Sequence, residues 1–71
     1  MKIEVGKHYI FRDKVLLVVK GRLNLPSFSY YEVNCLYPRH RSAYYIVDEV
    51  RNNSRPATSS EVVKFKRLNT K

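Results

Sequence analysis

Polar and apolar positions alternate from His8 to Arg12, with Tyr9 and Phe11 on one side of the chain and His8, Ile10 and Arg12 on the other. A period of two is the signature of a β-strand. Asp13 and Lys14 break the pattern, and Val15 to Val19 follows as an unbroken apolar run rich in β-branched Val. A short run of this kind fits a central strand covered on both sides. Gly21 permits a bend or bulge. Asn24-Leu25-Pro26-Ser27 reads as a turn, because Pro26 has no N–H for a ladder and pushes Leu25 toward extended conformations.

A third strand is expected from about Phe28 to Tyr37, with Phe28, Tyr30 and Leu36 on one face and Tyr31, Val33, Cys35 and Tyr37 on the other. Pro38 ends it, and Pro38 to Ser42 reads as a connecting loop of hairpin length. A fourth strand is expected from Ala43 to about Arg51, led by Tyr44-Tyr45-Ile46-Val47. Residues 52–60 carry small or polar residues, one Pro and one Arg, with no large apolar anchor, and are expected to form a mobile loop. Thr58 and Glu61 have the spacing of a capping box, which predicts a helical turn starting near Ser59. Val62 to Leu68 suits helix or strand, and the favoured reading is a last strand after that turn. The tail, residues 69–71, is expected to fray.

Five short strands without an alternating helical pattern predict an all-β domain, an antiparallel sheet that curls into a small barrel and so removes its edges. The chain resembles the SH3-like small β-barrels, including small basic proteins of that type in phages and in nucleic-acid machinery. The resemblance is carried by Val5-Gly6-Lys7-His8-Tyr9 leading into the first strand, by Val15 to Val19, and by Thr58-Ser59-Ser60-Glu61 as a turn before the final strand. It implies an antiparallel barrel of about five strands with one short helical turn before the last, and binding of DNA, RNA, peptide or protein.

Length and composition narrow the function. With 71 residues the chain makes one domain, residues 1–71, too small to house a large buried cofactor. Hydrophobic residues at 44%, including six Tyr and three Phe, suit a folded globule. Cys35 stands alone, so no internal disulfide forms, and a secreted domain of this size would normally need one. A cytoplasmic, reducing location is therefore expected. The longest apolar run is Val15 to Val19, where a span needs about 20 residues, and no signal-type apolar region opens the chain, so no membrane partner is expected.

Charge points to the partner. Fourteen Lys and Arg against six Asp and Glu give +8 on a small body, enough to attract a polyanion. The cations cluster at Arg39-His40-Arg41, at Arg51 with Arg55, and at Lys64, Lys66 and Arg67 with Lys71. If residues 62–68 were a strand, Lys64 and Lys66 would form a row at about 6.6 Å spacing, roughly two steps of the phosphate repeat on one nucleic-acid strand. The plainer alternative is a solvated edge guarded by Lys and Arg. Tyr30-Tyr31 and Tyr44-Tyr45 are adjacent pairs, so one ring of each pair faces outward; Tyr31 and Tyr44 are the candidates to stack bases beside Arg39 and Arg41. The alternative is that these rings only cover a thin core.

Metal and catalytic readings are poor. His8, His40 and Cys35 lack metal-ligand spacing, and Asp48 and Glu49 would point to opposite faces of a strand. Cys35, His40 and Asp48 show no local nucleophile motif, and Cys35 reads as a small buried hydrophobe. No cofactor, metal or enzymatic activity is expected. Two functions remain. One is a nucleic-acid-binding module for DNA or RNA, with Arg39, Arg41, Arg55, Lys64, Lys66 and Arg67 neutralising phosphates and Tyr31 and Tyr44 stacking bases. The other is a small regulatory or inhibitor protein that docks the same basic surface on an acidic patch of a larger protein. An exposed edge strand would also allow pairing into a homodimer.

Overall fold

The computed structural model describes residues 2–69. Its core is a five-stranded antiparallel sheet of β1 (His8–Phe11), β2 (Val15–Asn24), β3 (Ser29–Tyr37), β4 (Arg41–Ile46) and β5 (Ser54–Pro56), in the order β4-β3-β2-β1-β5. Two helices complete it, α1 (Val47–Asn53) between β4 and β5, and α2 (Ser59–Asn69) after β5.

The first turn forms because Arg12 and Asp13 both take positive φ, 52° and 60°, and the Lys14 N–H returns to the Phe11 carbonyl at 3.2 Å. Such a turn matches the twist of the strands it joins. Gly6, at φ 85°, bends the N-terminal segment so that its N–H reaches the Val19 carbonyl at 2.8 Å. The β2–β3 ladder carries two register shifts, between Leu16 and Leu17 and between Val19 and Gly21.

Side chains alternate between two faces that are covered differently. On the first lie Tyr9, Phe11, Leu17, Val19, Tyr31, Val33 and Cys35, all buried, with Val47 and Val50 of α1 packed on them. On the second, Ile10 and Leu16 are opposite each other and almost fully buried. Leu16 is also the register partner of Tyr37, whose ring meets Phe65 of α2 at 5.0 Å between centroids. Helix α2 therefore lies over this half of the second face.

The sheet is open, and the expected closed barrel does not form. Edge strands β4 and β5 do not pair with each other. Closure is replaced by α1, whose Val47 and Val50 cover the first face directly after β4. The fourth strand accordingly stops at Ile46 instead of running to Arg51. Val47 and Val50 are three apart, Asp48 and Glu49 favour the positive N-terminal end of a helix, and Arg51 favours its last turn.

Residues 52–60, expected as a loop, hold the end of α1, all of β5 and the first residues of α2. Residues 62–68, expected as the last strand, are helical. The capping box is present: the Glu61 N–H donates to Thr58 Oγ1 at 3.1 Å, and the Thr58 N–H donates to Glu61 Oε1 at 3.0 Å. This reciprocal cap starts a helix that then continues for 11 residues, beyond the single turn expected. Asn69 closes α2, and the other two residues of the expected tail lie outside the described residues.

Candidate nucleic-acid interface

The cations expected to act together occupy three separate places. Arg39 and His40 stand exposed in the turn between β3 and β4, next to the cis Tyr37–Pro38 bond. Arg41 opens β4 and donates from Nη2 to the Tyr45 hydroxyl at 3.3 Å. Burial, followed by the neighbouring Cys35 thiol at 3.9 Å, raises the Tyr45 pKa, while Arg41 works against that rise. Arg41 thus sits on the first face, opposite Cys35.

Arg55 is committed within the protein. It makes a two-pronged pair with Glu61, Nη1 to Oε1 at 2.8 Å and Nη2 to Oε2 at 2.6 Å, and its Nε lies 3.9 Å from Asp13. These acids neutralise its charge, so Arg55 is a poor phosphate ligand. Arg12 and Lys20 are also paired, with Glu49 and Glu32.

On α2 the expected lysine row dissolves. Residues two apart on a helix point about 200° from each other, given 3.6 residues per turn. Lys64 instead neighbours Arg67, three residues on, and the two flank Val63 and Leu68 on the outer side of the helix, beside Ser59 and Ser60. Lys66 turns toward His8, whose pKa is lowered first by burial and second by the Lys66 charge.

The tyrosines are resolved by register. Tyr31 pairs across the ladder with Tyr45, and Glu32 with Tyr44. Tyr31 therefore lies on the covered face, 4% exposed, with Arg22 5.9 Å above its ring, and is unavailable for stacking. Tyr44 lies on the other face and is 57% exposed. Because α2 packs on that same face, Tyr44, Lys64 and Arg67 belong to one side of the sheet.

Sequence reasoning missed the neighbours of Tyr44. Leu23, Tyr30 and Ile46 are aligned across β2, β3 and β4. Leu23 and Ile46 are exposed, Tyr30 is half-buried, and Phe28 meets Tyr30 at 6.3 Å between centroids. Among the described residues, no helix lies over this half of the second face. The alternation of Tyr30 with Tyr44, one on each strand, was the available signal once the hairpin register is known.

Among the described residues, no group of three or more His, Cys, Asp or Glu is placed to hold a metal ion. None of the described helices is long and apolar enough to cross a membrane. No protein-family model, curated protein or solved structure matches the chain.

Proposed function

We propose that the protein is a non-enzymatic module that binds single-stranded nucleic acid on the second face of its sheet. The observation that carries this reading is the placement of exposed Tyr44 on the same face as α2, with Lys64 and Arg67 on that helix. Stacking on a ring is sequence-tolerant, and cations beside it hold the backbone. Half-buried Tyr30 extends the platform toward Leu23. Arg39, in the turn that follows Tyr37, supplies a further cation at the strand end on which Phe65 packs. Tyr31 and Arg55 drop out of the site, and Arg41 and Lys66 stand apart from it. Titration of labelled single-stranded and duplex oligonucleotides at graded salt tests the reading, since a phosphate-binding surface gives a steep salt slope.

A second reading, docking on an acidic protein, is favoured by the bare apolar side chains Leu23, Phe28 and Ile46 around Tyr44, because aromatic and apolar anchors dominate protein interfaces. Absence of oligonucleotide binding together with a stoichiometric protein partner would select it.

The finer likeness to SH3-like sheets rests on a four-strand meander followed, after a helical segment, by a short fifth strand that pairs with the first. A reducing, intracellular setting is supported by a lone buried thiol at Cys35.

A further inference from the structure

The two edges of the sheet are treated differently. Edge strand β5 is three residues long, ends in Pro56, and has Arg55 pinned by Glu61 of α2. Shortness, proline and charge are the devices that keep an edge from pairing. Edge strand β4 has none of them along Ser42–Ile46: these five residues are uncharged and contain no proline, and among the described residues β4 has a strand neighbour only on its β3 side. Tyr44 and Ile46, 57% and 40% exposed, project from it on the face left bare by α2.

We infer that β4 pairs antiparallel with β4 of a second copy of this chain, about a two-fold axis at Tyr44, joining two sheets into one. An axis perpendicular to a sheet keeps each face on its own side, so residues opposite each other must share a face. Centring on Tyr44 meets that condition: Tyr44 faces the partner's Tyr44, Ser42 faces the partner's Ile46, and Ala43 faces the partner's Tyr45. Exposed rings then meet as a cross-strand aromatic pair, an arrangement that stabilises sheets.

Charge selects a copy of this chain as the occupant. Two chains of +8 repel unless their cations stay away from the contact. Arg41 is three residues from the axis, so the two Arg41 backbones are about 20 Å apart at about 3.4 Å per residue. That exceeds twice the screening length of about 8 Å at physiological salt. The uncharged stretch thus matches an identical uncharged stretch, whereas an acidic strand laid on this edge would find no cation across Ser42–Ile46. The pairing keeps both second faces on one side, with an α2 helix on each flank. It concerns the edge and holds whether or not the bare face binds nucleic acid.

Sedimentation equilibrium without nucleic acid, over about 5 to 500 µM protein, reads the association directly, because a self-associating chain changes its average mass with concentration. The expected result is a monomer–dimer equilibrium for the wild type and a monomer throughout for Tyr44→Lys, with Val63→Lys on α2 associating like the wild type. Should Tyr44→Lys fail to fold, Tyr44→Cys serves instead: opposed residues on paired strands lie within disulfide reach, so mild oxidation should cross-link two copies, and Ile46→Cys, facing Ser42, should cross-link at least tenfold less. A wild type that stays monomeric across the range, a dimer that survives Tyr44→Lys, a dimer abolished by Val63→Lys, or equal cross-linking at 44 and 46 overturns the inference.

Discussion

Arg55 on β5 and Glu61 on α2 hold each other through two hydrogen bonds, 2.8 and 2.6 Å, and Glu61 also accepts from the Thr58 N–H. The pair fastens the shortest strand to the helix that covers half of the second face. It lowers the Glu61 pKa to about 2, with the Arg55 hydrogen bonds as the largest cause and the backbone bond from Thr58 next.

Acid should therefore weaken the fold in two stages. His8 has a folded pKa below its ordinary 6.5, so the unfolded chain binds its proton more readily and stability falls as pH drops below about that value. Glu61 contributes stability that is fully present above about pH 4.5 and is lost as pH falls toward 2. Chemical denaturation at steps of pH checks this. His8→Gln should remove the upper stage, and Glu61→Gln the lower.

The capping box gives a separate handle on α2. Thr58→Ala removes the side-chain acceptor of the Glu61 N–H and should destabilise by about 0.5 to 2 kcal/mol. Thr58→Ser keeps the acceptor and should stay close to wild type in the same melt.

Truncation of the central strand should be severe. Leu17 is completely buried on the first face, and Leu17→Ala should cost about 2 to 5 kcal/mol in denaturant melts. A loss below about 1 kcal/mol would place Leu17 outside a packed core.

The two candidate tyrosines should separate cleanly. Tyr31→Ala empties a buried site and should cost about 3 to 5 kcal/mol of stability, as large aromatic truncations do. At protein concentrations where the chain is monomeric, Tyr44→Ala should leave the melt within about 0.5 kcal/mol, since exposed substitutions rarely do more, and weaken single-strand binding by about 1 to 3 kcal/mol at any salt.

Much of the sheet is legible in the sequence. Alternation from His8 locates β1, the run from Val15 locates β2, and Pro38 marks the end of β3 at Tyr37. Thr58 and Glu61 announce the start of α2 correctly. The errors came where two periods fit the same letters. Val63, Phe65 and Arg67 alternate as in a strand, while Val62 and Phe65 are also spaced as on a helix, and contact of Phe65 with Tyr37 decides for the helix. The run Tyr44 to Val47 hid the helix that Val47, Val50 and the acids between them encode. Which tyrosine faces outward depends on pairing across a hairpin, a non-local fact: with Tyr31 opposite Tyr45, Tyr44 can share a face only with Tyr30. The pairing of Arg55 is non-local in the same way, because Arg55 meets Asp13 and Glu61 only once the chain is folded.

Placement of the binding surface on the second face is tested most directly by the salt dependence of oligonucleotide binding in Lys64→Ala with Arg67→Ala. Each phosphate contact contributes about 0.7 to the slope of log K against log salt on single strands, so the double variant should lower that slope by up to about 1.4 with an unchanged melt. Wild-type binding at micromolar strength or better near 0.15 M salt, with the slope reduced in the variant, is the result this account predicts. An unchanged slope in the variant, or no wild-type binding at that salt, would contradict it.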